Sequence, residues 1–312
     1  MKIVITGGTG FLGSHVSGRL LDRGHSVNAL GRLSGNLLDP IIADGLIKGA
    51  DIVIHLAANV GGVGYLDNNK ARSFYDNLTL GINVTNACSK HRVKRLILAG
   101  TPCVYGDSLK LPLSEADISL DIPSGPVAGY AFAKLAVSSL ANEICSQNGI
   151  DTVTFIPSNM YGPRDHFEQH KSHVGAALLR KAYIAHHKGL STFKVWGDGS
   201  ATRDFVYVED VAANIVKLVE YGHKLNGATL NFGSGVETRI GEFAELLCKL
   251  LESKVKPDYQ TERPIGYQRR VLSCSRAREL LGHIPQLELE DGLKNTLQWI
   301  KDTKQIDNWL AE

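Results

Sequence analysis

The chain has 312 residues, of which 43% are apolar and 21% charged, and its formal net charge is +2. This composition is typical of a globular protein with one large or two smaller domains, and it argues against a general affinity for nucleic acid. Five widely spaced cysteines without a C-x-x-C pair favour neither a disulfide framework nor a zinc site. Because the first strand starts at the N-terminus and no apolar run reaches the ~18 residues of a membrane span, we predict a cytoplasmic protein without membrane contacts.

Short β-rich apolar runs alternate with longer amphipathic segments in the first half of the chain. Strands that are apolar on both faces and alternate with helices predict an α/β fold with a Rossmann-like, doubly wound parallel sheet. The predicted elements are strand 3–6, helix 10–23, strand 26–30, strand 52–56, helix 70–91, strand 95–101, helix 129–148 and strand 152–157.

After Gly162 the pattern changes to a polar, loop-like stretch, "PRDHFEQHKSH", followed by a helix in "ALLRKAYIAHHKG". Further helices are predicted near 241–252 and 289–301, with a short strand near 256–260. We therefore predict two domains built from alternating segments. Residues 1–162 and 202–234 form the sheet domain, and residues 163–201 and 235–312 form a smaller C-terminal domain.

A glycine-rich loop follows the first strand. "VITGGTGFLGSH" places Gly7, Gly10 and Gly13 at G-x-x-G-x-x-G spacing before an amphipathic helix. Glycine permits the tight turn and the close approach of a pyrophosphate, and the helix N-terminus offers N–H groups to phosphate. The spacing and position predict a dinucleotide site, with a ligand-free glycine turn as the alternative.

The second strand ends in "VNALGRLSG", where an NAD-binding domain usually has an acidic residue for the ribose hydroxyls. Here Gly31 and Arg32 occupy this position. An arginine without a competing carboxylate suits a 2′-phosphate, so we predict NADP(H) as the cofactor. The alternative is that Arg32 is an ordinary surface residue.

Tyr130 and Lys134, in "GYAFAKLA", are four residues apart and share one face of a helix. A free phenol has a pKa near ~10, and a lysine one turn away is expected to lower it. The pair can then exchange a proton with a carbonyl oxygen while a nicotinamide transfers hydride. Thr101, at the end of a predicted strand, can hydrogen-bond the same oxygen.

Cys103 follows Thr101 by two residues, so on a strand both side chains point to the same face. A cysteine in such a place is more often a small core residue than a catalytic one. The residues alone leave these two interpretations open.

Several motifs together resemble the extended short-chain dehydrogenase/reductases, the NAD-dependent epimerase/dehydratase family. They are "TGGTGFLGSH", "HLAA", "TPCVYG", "YAFAK", "SNMYGP" and "DFVYVEDVA", and they cover nearly the whole chain. Within that family, "LAANVGGVG", "YGPRDHFEQHKSHVGAALLRK" and "VWGDGSATRDF" are similar to the GDP-L-fucose synthases. The resemblance implies an NADPH-dependent epimerase/reductase acting on a GDP-linked 4-keto-deoxy sugar, with an NADP-binding sheet domain, a nucleotide-sugar-binding smaller domain, and a homodimer.

The resemblance also assigns roles to individual residues. It makes Cys103 and His173 the epimerisation pair, with Cys103 the base, working as a thiolate near cationic neighbours, and His173 the acid. It makes Arg269 a diphosphate-binding residue. The substrate contacts that it implies are Asn159, Lys181, Trp196 and Arg203, and the cofactor contacts expected beyond Gly7, Gly10, Gly13 and Arg32 are Phe11, Leu12, Asp39, Leu56, Ala57, Tyr130, Lys134 and Pro157.

Three departures from the family pattern leave the identity of the substrate sugar undetermined. Pro102, Ser273 and the loop "LAANVGGVGYLDNN" differ from its usual residues, which keeps a heptose possible beside a hexose. The alternatives are an NAD-dependent nucleotide-sugar 4-epimerase, an epimerase that lacks the reduction step, and a non-enzymatic NADP sensor. His166 and His170 precede His173, but no metal is expected because no carboxylate or cysteine completes a ligand set at regular spacing.

Overall fold

A computed structural model describes residues 1–107, 109–118, 121, 123–168, 171–263, 266–282 and 286–311 of the chain. Its strands form one six-stranded sheet, one three-stranded sheet and one two-stranded sheet. The strands are β1 (Lys2–Thr6), β2 (Ser26–Leu30), β3 (Ile52–His55), β4 (Arg95–Ala99), β5 (Asp151–Pro157), β6 (Asn159–Tyr161), β7 (Thr192–Trp196), β8 (Thr202–Tyr207), β9 (Ala228–Phe232), β10 (Glu237–Arg239) and β11 (Lys256–Gln260).

The helices flank these sheets. None of the helices formed by the described residues combines the length and apolar character that a membrane span needs. The helices are α1 (Phe11–Asp22), α2 (Pro40–Ile47), α3 (Val63–Asn68), α4 (Lys70–His91), α5 (Ala128–Gln147), α6 (Val174–His187), α7 (Val208–Glu220), α8 (Ile240–Leu250), α9 (Ser275–Leu281), α10 (Leu289–Asp302) and α11 (Gln305–Ala311). The bounds of α1, α4, α5, α8 and α10 agree closely with the predicted segments, whereas α2, α3, α9 and α11 were not predicted.

The six-stranded sheet has the order β2-β1-β3-β4-β5-β9, and all of its neighbouring strands are parallel. The chain leaves β1 toward β2 on one side and returns to β3 on the other, so the strand order reverses between β1 and β3. A ligand crevice opens at the carboxyl ends of the strands at such a reversal. The predicted doubly wound α/β class is confirmed.

The sheet is buried on both faces. On one face Val16 and Leu20 of α1 pack with Ile215 and Leu218 of α7, all fully buried. On the other face α4 and α5 pack together through a cluster of buried residues that includes Cys88 and Val137. Coverage of both faces explains why β1, β3 and β4 are runs of apolar residues without alternation.

A separate hydrophobic cluster lies between α6, α8 and α10 and the two smaller sheets, and it includes Leu179, Phe193 and Phe243. Strand β8 borders both cores, because Phe205 packs into this cluster while Val206 packs into the core of the large sheet. Cores on both sides of β8 are consistent with two domains, but the segment boundaries given above remain a prediction.

One predicted strand is shorter than expected. β4 ends at Ala99 rather than at residue 101, and Pro102–Val104 forms a 3₁₀ turn. The physical reason is that Pro102 has no N–H to donate to a sheet and is favoured at the first position of a turn. Thr101 accepts a hydrogen bond from the Cys103 backbone N–H through its hydroxyl, at 3.3 Å, and so caps the turn.

Candidate active site

The glycine loop after β1 leaves no room for side chains. Gly7 has φ +71°, and a Cβ atom built on it would lie 2.8 Å from the Ala57 nitrogen. A Cβ on Gly13 would lie 2.1 Å from the Gly7 carbonyl oxygen. The loop therefore lies tightly between β3 and the start of α1.

The first turn of α1 is suited to an anion. Among the described residues no side chain caps the helix at Gly10, and the first turn, which includes Phe11 and Leu12, contains no acidic residue. Its backbone N–H groups and the positive end of its dipole meet the crevice where the strand order reverses. This loop and helix start fit a dinucleotide pyrophosphate.

The end of β2 lies at the same edge of the sheet. A Cβ on Gly31 would lie 2.3 Å from the Thr9 hydroxyl oxygen, so a larger residue there requires the Thr9 side chain to move. Arg32 is exposed and has no hydrogen bond or ion pair within the described part of the chain. Asp39 caps α2 by accepting hydrogen bonds from the Ile41 and Ile42 nitrogens, at 2.8 and 3.3 Å. An exposed cation without a carboxylate at position 31 fits a 2′-phosphate.

The remaining predicted cofactor residues lie at the ends of β3 and β5. The Ala57 N–H donates to the Thr6 hydroxyl at 3.3 Å, directly after Leu56 leaves the sheet. Pro157 is the last residue of β5 and lies beside β9. These positions extend the same carboxyl edge of the sheet.

Tyr130 and Lys134 lie on the first two turns of α5, and each residue is 7% exposed. The Lys134 Nζ lies 5.9 Å from the centre of the Tyr130 ring. Burial lowers the pKa of Lys134 to about 8. Burial and the nearby Cys103 raise the pKa of Tyr130 above its ordinary value, with a hydrogen bond from Thr101 opposing them. The predicted lowering of the tyrosine pKa is therefore not reproduced, because desolvation has the largest effect on the phenol and only the Thr101 hydrogen bond opposes it.

Cys103 is half-buried and packs in one apolar cluster with Tyr130 and Tyr267. Burial raises the pKa of its thiol, and the Thr101 hydrogen bond and the guanidinium groups of Arg270 and Arg203 oppose this rise. The predicted cationic neighbours are present. However, burial has the larger effect, so the thiol rather than the thiolate is the resting form.

His173 precedes α6 as its N-cap residue. Although the residue is exposed, the surrounding protein and the nearby His166 lower the pKa of its ring, which favours a neutral imidazole. Its loop is joined to the segment before α3, because the Gly62 N–H donates to the Lys171 carbonyl at 3.0 Å. His170 lies outside the described residues, which contain no group of three potential metal ligands.

The segment from Val60 to Leu66 links the His173 loop to the catalytic side chains. Val60, Tyr65 and Leu66 belong to the same cluster as Cys103 and Tyr130. The network of hydrogen bonds around Asn59 fixes the beginning of this segment on α4. The loop that carries His173 is thus joined to the segment that packs in the same cluster as Cys103.

The predicted substrate residues fall into three groups. Asn159 of β6 and Arg203 of β8 lie on paired strands, and burial with the nearby Arg270 lowers the pKa of Arg203 to about 10. Lys181 of α6 lies over the ring of Trp196, with 5.6 Å from its Nζ to the ring centre, and Trp196 is 49% exposed. The third group is a surface ion pair.

Arg269 forms this surface pair with Glu237. Its Nε and one terminal nitrogen lie 2.6 and 2.7 Å from the two carboxylate oxygens. The pair lowers the pKa of Glu237 to about 2. A diphosphate at Arg269 would therefore compete with a carboxylate that already occupies the guanidinium.

A family model and the sequences of known proteins identify the same family for this chain. Residues 3–233 match the NAD dependent epimerase/dehydratase family. The chain is 30% identical to the GDP-L-fucose synthase of Escherichia coli (strain K12), over 97% of both chains. It is 35% identical to the GDP-L-fucose synthase of Sinorhizobium fredii (strain NBRC 101917 / NGR234), over 79% of this chain and 77% of the relative.

The chain belongs to the NAD dependent epimerase/dehydratase family. A crystal structure from the same comparisons, a GDP-L-fucose synthetase from Naegleria fowleri bound to NADP, superposes with a TM-score of 0.88. It is 26% identical and covers 97% of this chain and 93% of the other. The predicted family is thus confirmed.

Two side chains of this epimerase-family cleft were not predicted from the sequence. His55 is buried beside the glycine loop, with its Nδ1 2.7 Å from the Thr6 hydroxyl, and burial together with Lys134 lowers its pKa to about 3. Its place in "HLAA", at the end of a buried strand, was a usable signal. Arg270 is buried near Cys103, and no signal in "QRR" distinguishes it from the exposed Arg269.

Proposed function

We propose that the chain is an NADPH-dependent epimerase/reductase that acts on a GDP-linked 4-keto-deoxy sugar, a hexose or a heptose. The observation that carries the proposal is the grouping of Thr101, Cys103 and Tyr130 around one point of the cleft, with Lys134 behind them. A reductase needs the hydroxyl, phenol and ammonium groups but not the thiol. The names of the two bacterial relatives support the same class of substrate.

The cofactor site of this proposal consists of the glycine loop, the start of α1 and Arg32. The backbone N–H groups of Phe11, Leu12 and Gly13 hold the pyrophosphate, and Arg32 binds the 2′-phosphate. NADPH, when bound, supplies the hydride that reduces the keto group at carbon 4. The NADP named in the solved relative supports this choice.

Epimerisation is the work of Cys103 and His173. A C–H bond next to a carbonyl is weakly acidic, and the Cys103 thiolate takes its proton while the electron pair moves into the carbonyl to form an enolate. Thr101 and Tyr130 donate hydrogen bonds to the enolate oxygen. His173, which must first be protonated because its lowered pKa favours the neutral ring, returns a proton from the opposite face, and this inverts the carbon.

Reduction uses Tyr130 as the proton donor to the carbon-4 oxygen. Its raised pKa keeps the phenol protonated at neutral pH, which suits a donor. The Lys134 ammonium, with a pKa of about 8, stabilises the phenolate formed when that proton leaves.

Two other functions use the same fold. An NAD-dependent nucleotide-sugar 4-epimerase shows no net redox change, and a non-enzymatic NADP sensor needs no catalytic groups. The absence of a side chain at Gly31 beside Arg32 disfavours the first. The buried grouping of Tyr130 and Lys134 disfavours the second.

We also propose a homodimer in the cytoplasm. Phe74 and Tyr75 of α4 and Phe132 of α5 are 39%, 63% and 41% exposed, which leaves an aromatic surface on two helices that pack together. Sedimentation of the wild type and of Phe132→Glu tests the dimer, because a charge in that surface should give monomers. All five cysteines are free, which fits a reducing compartment.

The experiment that tests the function uses purified protein, GDP-4-keto sugars and NADPH in deuterium oxide. We expect deuterium in the carbons beside the keto group and, separately, oxidation of NADPH. Oxidation without exchange would leave only a reductase, and exchange without oxidation would leave an epimerase that lacks the reduction step. If neither occurs with any nucleotide-linked 4-keto sugar, the proposal is wrong.

A further inference from the structure

Arg270 lies beside the predicted base, although the family resemblance assigns it no role. The residue is 8% exposed, whereas its neighbour Arg269 is on the surface. Removing a guanidinium from water is costly unless hydrogen bonds and a counter-charge replace the lost hydration. The groups that Arg270 contacts therefore indicate its role in the structure.

The guanidinium of Arg270 holds the turn that directly follows Cys103. It donates to the carbonyl oxygens of Tyr105, at 2.9 Å, and Gly106, at 3.1 Å. It also lies 3.2 Å from a carboxylate oxygen of Asp107, whose side chain is 53% exposed. Three successive residues after the thiol turn are thus fixed by one side chain.

The flat face of the same guanidinium stacks on Tyr267. The central carbon of the guanidinium lies 3.6 Å from the centre of the ring, and Tyr267 and Cys103 pack against the same apolar cluster around Tyr130. Within the described residues the Tyr267 hydroxyl and the Arg270 Nε have no hydrogen-bond partner of good geometry. The contact between the two side chains is therefore mainly that of the guanidinium with the ring.

Polar and charged groups face the Cys103 thiol from several segments of the chain. The positive charges among them are the guanidinium groups of Arg270 and Arg203. Of these two, Arg270 opposes the effect of burial on the thiol pKa more strongly. An ionised phenol would act in the opposite direction. The groups are Thr101, Tyr130, Arg203, Tyr267 and Arg270.

We propose that Arg270 is a positioning residue for Cys103, which holds the 105–107 turn and the Tyr267 ring around the thiol and supplies positive charge that stabilises the thiolate. The inference rests on the proposed function, because a thiolate matters for catalysis only if Cys103 is the base. A purely structural role for Arg270 would support the turn without affecting ionisation.

The test is a pH titration of the Cys103 thiolate by its ultraviolet absorbance in the full-length protein. The signal is the difference between each variant and the same variant carrying Cys103→Ser, which removes the contribution of tyrosines and other cysteines. We expect Arg270→Gln to raise the midpoint by about one pH unit or more, since an opposite charge close to an ionised group shifts its pKa by about 1–3 units. Arg270→Lys, which keeps the charge but not the planar fork, should give an intermediate midpoint.

Arg269→Gln is the matched control, because it removes a neighbouring arginine that points to the surface and pairs with Glu237. Its thiol midpoint should equal that of the wild type. An unchanged midpoint in folded Arg270→Gln would overturn the proposal. If Arg270→Gln does not fold, Asp107→Asn still tests it: removal of this half-exposed counter-charge should lower the midpoint, and no change would contradict the proposal.

The result is separable from the proposed function, because the titration needs neither sugar nor NADPH. If the midpoint shifts but Cys103→Ser exchanges solvent deuterium as fast as the wild type, Arg270 tunes a thiol that is not the base. If Cys103→Ser abolishes exchange but Arg270→Gln leaves the midpoint in place, the function stands and the proposal for Arg270 fails.

Discussion

The two sides of the cleft are built in different ways. The cofactor side is formed by residues 7–13, 31–32 and 55–57, and its surface consists mostly of backbone atoms. At Gly7 and Gly13 a Cβ would lie 2.8 and 2.1 Å from other backbone atoms. On the sugar side, side chains from distant segments come together, namely residues 101–103, 130–134, 203 and 267–270, and the loop of His173 is joined to this side through Gly62. The cofactor side therefore requires glycine at fixed positions. The chemistry of the sugar side depends instead on which side chains are buried there and on the charges that they carry.

Disrupting the cofactor side should strongly weaken NADPH binding. Gly13→Ala puts a methyl group 2.1 Å from the Gly7 carbonyl, so the loop must move. Loss of two hydrogen bonds to charged phosphate, each about 1.5–3 kcal/mol, predicts about 10²–10⁴-fold weaker NADPH binding by calorimetry. Gly18→Ala on the same helix is the control, because its Cβ would meet nothing within 4 Å. Equal binding by the two variants would contradict a backbone cradle at Gly13.

The sugar side should respond through chemistry rather than binding. Tyr130→Phe removes the proton donor and should slow NADPH oxidation by about 10²–10⁴-fold. NADPH affinity should change little, since the phenol is not needed to hold the phosphates. Tyr221→Phe, at the end of α7, should oxidise NADPH at the wild-type rate. Oxidation by Tyr130→Phe at the wild-type rate would remove Tyr130 from the mechanism.

The two half-reactions should depend on pH in opposite directions. Because the pKa of Cys103 is raised, the thiolate is a minor form at neutral pH, and solvent exchange should rise about tenfold per pH unit. Reduction should instead fall as pH rises through about 8, where Lys134 loses its proton. Measuring the rates of deuterium exchange and of NADPH oxidation separately, at a series of pH values on both sides of 8, distinguishes the two half-reactions. Parallel profiles would argue that one group controls both.

The smallest expected effect is on cofactor choice. Arg32→Ala should reduce the preference for NADPH over NADH by about ten-fold to 100-fold, the value of one charge-assisted hydrogen bond. NADH binding itself should not change. Arg23→Ala, another exposed arginine, pairs with Glu220 at the far end of α1 and serves as the control. Tighter NADH than NADPH binding by the wild type would overturn the prediction.

These differences explain what the sequence could predict. Gly7 and Gly13 are required by local geometry, and Tyr130 and Lys134 are fixed by helical spacing, so both pairs are recognisable in the sequence. The Thr101–Cys103 pair was found for the wrong reason, since a capped 3₁₀ turn rather than a strand brings the two side chains together.

The electrostatics of the sugar side were beyond sequence reasoning. The directions of the Tyr130 and Cys103 pKa shifts depend on burial, which at Cys103 outweighs the positive charges of Arg270 and Arg203. The burial of Arg270 rather than Arg269 depends on tertiary packing against the 105–107 turn. Neither spacing nor composition carries that information.

The central claim is that the Cys103 thiol is the base of an epimerisation, with His173 as the opposite acid. Its most direct test is the incorporation of solvent deuterium beside the keto group, followed by mass spectrometry and NMR. Cys103→Ser should bind NADPH normally, but its rate of deuterium exchange should be about 10²–10⁴-fold lower than that of the wild type, because a serine hydroxyl hardly ionises. His173→Asn should retain exchange but fail to invert the carbon. Exchange by Cys103→Ser at the wild-type rate would contradict the account and leave Cys103 as core filling.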